Sequence, residues 1–228
     1  SRRAHYPRTP ASQYRRRLHF IRTPTVPTEP AAMIELLLVR HGESQGQTGE
    51  DTDQVNPALS ARGHQQARRL KTVLSSFRPV VVLLSPLRRA WQTYEAAAVP
   101  GVRVVFDSRI VEAGWGRPDF YADIQPLATP PFGEPDRHHA WDVPAPERAA
   151  AFVREILTHG PERIVAVGHW GIFSALFRAF CADGPATPIP VVASMHNCAV
   201  SRLGIDERGT RLLYAWNERG HVADLHDN

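Results

Sequence analysis

The stretch Leu38-Val39-Arg40-His41-Gly42-Glu43-Ser44 comes at the end of the apolar run Ile34 to Leu38. The run predicts a short buried strand, so the Arg40-His41 pair would lie where that strand ends. In an open α/β sheet, ligands bind outside the carboxyl ends of the strands. An imidazole in that place can attack a phosphoryl group while a guanidinium holds its oxygens. The placement therefore indicates phosphate chemistry.

A second histidine has the same placement far along the chain. The apolar run Ile164 to Gly168 predicts another short strand, and His169 follows it directly, ahead of a helical pattern. A third run, Val80 to Leu84, is followed by a helix that carries Arg88 and Arg89 near its start. Two histidines and an arginine are thus expected near strand ends.

Short strands alternate with helical patterns, and this alternation predicts an α/β fold. Two late segments favour a hairpin at one edge of the sheet because a Glu207-Arg208-Gly209-Thr210 turn separates them. The predicted strands are 34–39, 80–84, 102–106, 164–168, 195–204 and 211–217, and the predicted helices follow Ser60, Pro86 and Gly171 and span 146–158.

The chain has 228 residues and 43% hydrophobic content, which favours one domain, at residues 33–228. Residues 1–32 are rich in arginine and proline and predict a disordered tail. No apolar run is long enough for a membrane span. Cys181 and Cys198 lack metal-site spacing and predict reduced thiols in the cytoplasm, without a disulfide.

The chain resembles the histidine phosphatase superfamily, the phosphoglycerate mutase-like fold with an Arg-His-Gly signature. Five segments carry the resemblance, in order, over about residues 34 to 222. They are 38–44, Asn56 to Gly63, Ser85 to Thr93, Glu112, and Gly168 to Gly171. The resemblance implies three layers, with helices on both faces of a mostly parallel central sheet.

The resemblance also assigns roles to individual residues. His41 would be the nucleophile that becomes a phosphohistidine, and Glu112 would protonate the leaving oxygen and then activate water. His169 would complete the catalytic set and contact the phosphate. The remaining implied phosphate ligands are Arg40, Arg89, the Trp170 amide at a helix start and Gln47, where many relatives have asparagine.

Two assignments stay open at this stage. The sequence around Glu112 departs from the usual pattern of the family, so Asp107 or Asp119 are alternatives for the acid. Segment 113–145 is long and aromatic, which fits a lid over the pocket as well as a packed structural excursion.

The function that these features favour is hydrolysis of a small phosphorylated metabolite by a histidine acid phosphatase-like phosphomonoesterase, with no metal and no cofactor. Phosphoglycerate mutase-type transfer and dephosphorylation of a phosphoprotein are the alternatives. Nucleic-acid binding through the arginine-rich tail is disfavoured because all the charged site positions are present. A homodimer is left open by the sequence.

Overall fold

The computed structural model describes residues 34–53, 55–114, 132–158, 163–182 and 192–225. Within these residues the chain forms a six-stranded sheet in the order β3-β2-β4-β1-β5-β6. The strands are β1 (Ile34–Arg40), β2 (Val81–Leu84), β3 (Arg103–Phe106), β4 (Arg163–Gly168), β5 (Val200–Ile205) and β6 (Arg211–Glu218). The helices are α1 (Gln45–Thr48), α2 (Ala61–Phe77), α3 (Arg88–Ala97), α4 (Ala145–Thr158) and α5 (Trp170–Cys181).

The first four strands of the sheet are parallel, and β5 and β6 are antiparallel. β4 lies between β1 and β2 and is parallel to both, with Arg40 opposite Gly168. β5 pairs antiparallel with the other side of β1, and β6 pairs antiparallel with β5 at the edge. This confirms the mostly parallel sheet and the hairpin at one edge.

The sheet carries helices on both faces, so the predicted three layers are confirmed. Side chains of β1 alternate between two cores, with Leu36 and Leu38 in the core of α4 and α5 and Leu37 and Val39 in the core of α2 and α3. This alternation follows from the two-residue period of a strand. A strand covered on both faces reads as a continuous apolar run, which is why β1 and β4 could be recognised in the sequence.

Two predicted boundaries are wrong. The strand predicted at 195–204 begins only at Val200, because Cys198 has a φ of 52° and its amide donates to the carbonyls of Arg40 and His41. Residues 195–199 are therefore a loop over the end of β1. The helix after β2 begins at Arg88 with Leu87 as its N-cap, so Pro86 precedes the helix instead of lying in its first turn.

Segment 113–145 is described only in part. Phe132 packs against the rings of Trp91, Tyr94 and Phe106, and Glu134 bonds to the edge of β3 through Val104 and Phe106. The part from 132 onward is thus a packed excursion. Residues 115–131, including Asp119, and the tail 1–32 lie outside the described residues. Among the helices that are described, none combines the length and apolar character needed to cross a membrane.

Candidate active site

Three neighbouring strands bring their ends together at one edge of the sheet. His41 follows β1, His169 follows β4 and Ser85 follows β2. The His41 amide donates to the Gly168 carbonyl at 3.0 Å, and the Ser85 amide donates to the Val167 carbonyl at 2.9 Å. Because β4 lies between β1 and β2, the two histidines become neighbours, with ring centroids 5.0 Å apart.

His41 is held in one tautomer. Its side chain is buried, and Nδ1 lies 2.6 Å from the Gly42 carbonyl oxygen. A carbonyl can only accept, so Nδ1 carries the proton and Nε2 carries the lone pair. Burial, together with Arg89 and Arg40, holds the pKa of His41 well below its ordinary value. The ring is therefore neutral near pH 7, with Nε2 available for attack.

His169 is fully buried between the same groups. Its Nε2 lies 2.8 Å from Ser85 Oγ, and Ser85 Oγ also accepts from the Leu87 amide at 3.4 Å. Burial is the main cause that lowers the pKa of His169 well below its ordinary value, and Arg89 and His41 add to it. His169 is thus a neutral imidazole with one nitrogen occupied by a serine hydroxyl.

Two arginines face the histidines. Arg89 is only 6% exposed, and its Nε donates to His41 Nε2 at 3.3 Å. Arg40 donates through Nη1 to the Met195 carbonyl. The neighbouring Arg88 is exposed.

Two polar atoms in this cluster lack a hydrogen-bond partner. Among the buried side-chain nitrogens and oxygens of the described residues, only Arg40 Nε and His169 Nδ1 are in this state. Buried donors without a partner are costly, and native proteins rarely keep them without a functional reason. An anion bound between Arg40, Arg89, His41 and His169 would accept from such donors.

Glu112 lies beside the start of α5. Its carboxylate oxygen Oε1 accepts from the Ala113 amide at 2.7 Å and from the Ile172 amide at 3.2 Å. A Cβ at Gly171 would lie 2.5 Å from this oxygen, so a larger residue there would displace the carboxylate. The charge of Glu112 opposes the effect of burial, which lowers the pKa of Arg40. Through the Ile172 amide, Glu112 is held next to the start of the helix that His169 caps.

The structure places Asp107, the alternative acid, elsewhere. Asp107 is buried and bound by Arg109, with Nη2 2.7 Å from Oδ2. Both carboxylate oxygens of Asp107 accept hydrogen bonds from the Arg109 side chain.

Gln47 is exposed and lies one contact away from the nucleophile. Its Oε1 accepts from the Ser44 amide at 3.0 Å and from Asn197 Nδ2 at 3.1 Å. Asn197 Nδ2 also donates to the His41 carbonyl at 3.0 Å. The loop 195–199 thus ties Gln47 to the end of β1, and a contact between Gln47 and phosphate stays a prediction.

Trp170 begins α5, and His169 is the N-cap. The first amides of a helix have no partner within the helix, so the Trp170 amide is of the kind that binds phosphate. The indole ring packs near Arg40, with 6.0 Å from the guanidinium carbon to the ring centroid, and its Nε1 donates to the Ala193 carbonyl at 3.1 Å. The phosphate contact of the amide stays a prediction.

Sequence reasoning gave no functional role to Ser85, Arg148 or Asn197. Ser85 directly follows the run Val81 to Leu84, so its place at a strand end was a usable signal. Arg148 is 4% exposed on the same face of α4 as Phe152, and a charge within an apolar stripe was the signal there. In the part of the chain that is described, no group of three or more His, Cys, Asp or Glu side chains is placed to hold a metal ion.

Solved structures support the fold. The YhfR protein of Bacillus stearothermophilus aligns with a TM-score of 0.60 and 23% identity, covering 83% of this chain and 99% of that chain. A mycobacterial glucosyl-3-phosphoglycerate phosphatase, solved with VO3, aligns with a TM-score of 0.56 and 23% identity, covering 81% and 99%. A mutant phosphoserine phosphatase from Entamoeba histolytica, solved in complex with phosphoserine, aligns with a TM-score of 0.55 and 15% identity, covering 83% and 99%.

Among curated proteins, phosphoserine phosphatase 1 of Hydrogenobacter thermophilus is 37% identical over 86 residues, which is 37% of this chain. The alignment spans 41% of the length of that relative. The family model of the histidine phosphatase superfamily (branch 1) matches residues 36–218, a range that contains both histidines, both arginines and Glu112. The chain therefore belongs to the histidine phosphatase superfamily.

Proposed function

We propose that the protein is a phosphomonoesterase that hydrolyses a small phosphorylated metabolite through a phosphohistidine on His41. One observation carries the proposal. Two neutral, buried imidazoles lie 5.0 Å apart at adjacent strand ends, with Arg89 Nε 3.3 Å from the lone-pair nitrogen of His41. Arg40 Nε and His169 Nδ1 are buried donors without partners beside them. This arrangement suits a doubly charged phosphate better than a neutral ligand.

The first step transfers the phosphoryl group to the enzyme. His41 Nε2 donates its lone pair to phosphorus, and the bond between phosphorus and the ester oxygen breaks. Nδ1 stays protonated and donates to the Gly42 carbonyl, which stabilises the positive charge that develops on the ring. Arg40, Arg89 and His169 surround the three equatorial oxygens and stabilise their charge as the bond breaks. When the phosphate binds, its oxygens replace His41 Nε2 as acceptors for Arg89.

Glu112 handles the protons in both steps. It gives a proton to the departing oxygen, because an alkoxide is a poor leaving group without one. It then takes a proton from the water that attacks phosphohistidine, which releases inorganic phosphate and restores His41. The amides of Ala113 and Ile172 hold the same carboxylate oxygen, which leaves the second oxygen for this exchange.

The names of relatives suggest which substrates to test first. Phosphoserine and glucosyl-3-phosphoglycerate, the substrates in those names, are phosphate esters of alkyl alcohols that also carry a carboxylate. We propose a small anionic alkyl phosphate of this type for the present protein. The proposal includes a reducing compartment such as the cytoplasm, which fits two free cysteines, and no cofactor.

The test is chemical trapping of the phosphoenzyme. Wild-type protein mixed with labelled phosphoserine and quenched in milliseconds should carry acid-labile label on the peptide that contains His41. His41→Asn should lose this label and at least about 10³-fold in kcat, since removal of a nucleophile has effects of this size. His139→Asn, the same change at an exposed histidine, should leave both unchanged. Normal phosphate release by His41→Asn would refute the proposal.

A companion assay separates hydrolysis from mutase-type transfer. The reaction is run with phosphoglycerate as the only phosphorylated compound, and inorganic phosphate and the isomer are both measured. A phosphatase gives phosphate with no isomer. Isomer without phosphate would assign the same phosphohistidine to a mutase.

A further inference from the structure

The guanidinium of Arg148 is buried under the segment that leads to Glu112. Arg148 lies in the first turn of α4 and is 4% exposed. Its Nη1 donates to the Val111 carbonyl at 2.5 Å and to the Arg109 carbonyl at 3.1 Å, and its Nη2 donates to the Glu112 carbonyl at 2.9 Å. Its Nε donates to the Val143 carbonyl at 2.8 Å.

These bonds fix a stretch of backbone that lies outside the six strands of the described sheet. Residues 108–110 form one 3-10 turn, and Val111 and Glu112 continue in extended or irregular conformation. Their carbonyls need partners because they are partly or fully buried. A planar guanidinium offers five donors in a rigid fork, so one side chain can hold several carbonyls in a fixed relation.

Hydrogen bonds consequently hold Glu112 at both its backbone and its side chain. Arg148 holds its backbone carbonyl, while the amides of Ala113 and Ile172 hold its carboxylate. Gly171 lies directly beside this carboxylate. A shift of the backbone would rotate the free carboxylate oxygen away from the leaving group, and misplacement of about 1 Å can cost about 10²-fold in rate.

We infer that Arg148 is a positioning residue for proton transfer by Glu112. The inference rests on the proposed function, because it assumes that Glu112 protonates the leaving oxygen. Arg148 does not touch the reacting atoms in this scheme. In this role, loss of Arg148 should slow a substrate that needs a proton much more than one that does not, and this selectivity distinguishes it from a residue that merely stabilises the core.

The experiment compares two leaving groups. Phosphoserine releases an alkoxide that needs a proton, whereas 4-nitrophenyl phosphate releases a stable phenolate that does not. The measured quantity is kcat/KM, because it reports the phosphorylation of His41 and excludes the later attack of water. Arg148→Gln should lower kcat/KM for phosphoserine by about 10²-fold and for 4-nitrophenyl phosphate by less than about fivefold.

Three control variants make the result specific. Arg154→Gln makes the same change at an exposed position of α4 and should leave kcat/KM unchanged for both substrates. Arg148→Lys keeps the charge and can bond fewer carbonyls, so it should recover part of the phosphoserine activity. Glu112→Gln should show the selective loss in full. Absence of selectivity in Glu112→Gln would reject the acid assignment itself and with it the proposed mechanism.

Other results would overturn the role of Arg148 while leaving Glu112 as the acid. Selective loss in Glu112→Gln, together with equal loss for both substrates in Arg148→Gln, would mean that Arg148 supports the fold in general. Unchanged kinetics in Arg148→Gln would equally overturn it. Circular dichroism and thermal unfolding report whether each variant folds, and if Arg148→Gln does not, Arg148→Lys carries the comparison. Failure of both to fold would assign Arg148 to the core and overturn the inference.

Discussion

Ser85 occupies one nitrogen of His169 and leaves the other for the phosphate site. Ser85 Oγ accepts from the Leu87 amide and lies 2.8 Å from His169 Nε2, and we propose that its hydroxyl hydrogen is donated to this nitrogen. Nε2 then accepts, and the proton of the neutral ring is on Nδ1. Nδ1 is a buried atom that has no hydrogen-bond partner among the described residues, so in this scheme the serine makes His169 a donor for the phosphate.

Replacing Ser85 should therefore change the tautomer of His169. In Ser85→Ala, the 15N shifts of His169 should move from a protonated Nδ1 toward a mixture of tautomers. The kcat/KM should fall about tenfold, which corresponds to about 1.4 kcal/mol and is the size of one hydrogen bond. Ser174→Ala removes a buried hydroxyl that bonds the Ala193 amide, and it should leave the 15N pattern intact. A wild-type pattern in Ser85→Ala would contradict this role.

The sequence predicted the site where function lies in residues next to strand ends, and missed it where function depends on contacts across the fold. His41 and His169 directly follow β1 and β4, so strand placement and the family resemblance both indicated them. Asn197 reaches the His41 carbonyl, and Arg148 reaches the Glu112 carbonyl from a separate helix. Such pairs are distant along the chain, and one sequence gives no measure of their proximity.

At the scale of elements, the sequence predicted which segments are strands better than how they are arranged. The bounds of β1 and β4 were predicted to within one residue because buried parallel strands are continuous apolar runs. The position of β4 between β1 and β2 has no local signal, although it makes the two histidines neighbours. Residues 195–199 were predicted as strand because the left-handed position is Cys198, where a glycine or an asparagine would be the usual signal of a turn.

The contact between α2 and the loop after β1 gives an element-scale prediction. A Cβ at Gly63 would lie 2.0 Å from the Glu43 carbonyl oxygen. This oxygen belongs to the backbone, so it cannot move aside as the end of a flexible side chain could. Gly63→Ala should lower the free energy of unfolding by about 1–3 kcal/mol, since overpacking outweighs the gain of about 1 kcal/mol in helix propensity.

Urea unfolding measures this change. Gly220→Ala is the control, because nothing lies within 4 Å of its added Cβ, and it should change the free energy of unfolding by less than about 0.5 kcal/mol. A Gly63→Ala variant as stable as wild type would show that α2 can move away from the loop. In Gly63→Ala the added Cβ should also displace the loop after β1, which follows His41, so kcat should fall as well.

For the whole molecule, the site imposes a pH dependence on stability. His41 and His169 are buried with pKa values well below their ordinary ones, mainly because burial penalises the charged ring. In the unfolded chain both imidazoles would titrate at about pH 6.5. Below that pH the unfolded state binds more protons than the folded state, so the free energy of unfolding falls as pH falls. Above it, both states are neutral and the contribution is complete.

We expect the free energy of unfolding to fall by about 1.4 kcal/mol per pH unit for each histidine below about pH 6. Urea titrations at pH 7.5, 6 and 5 measure the slope, and His169→Gln should reduce it by about one proton, because the amide does not titrate. The sign is opposite to that expected for histidines held as cations by carboxylates, which would lose stability as pH rises. An unchanged slope in His169→Gln would mean that its imidazole is protonated in the folded protein, and the neutral donor role of Nδ1 would have to be abandoned.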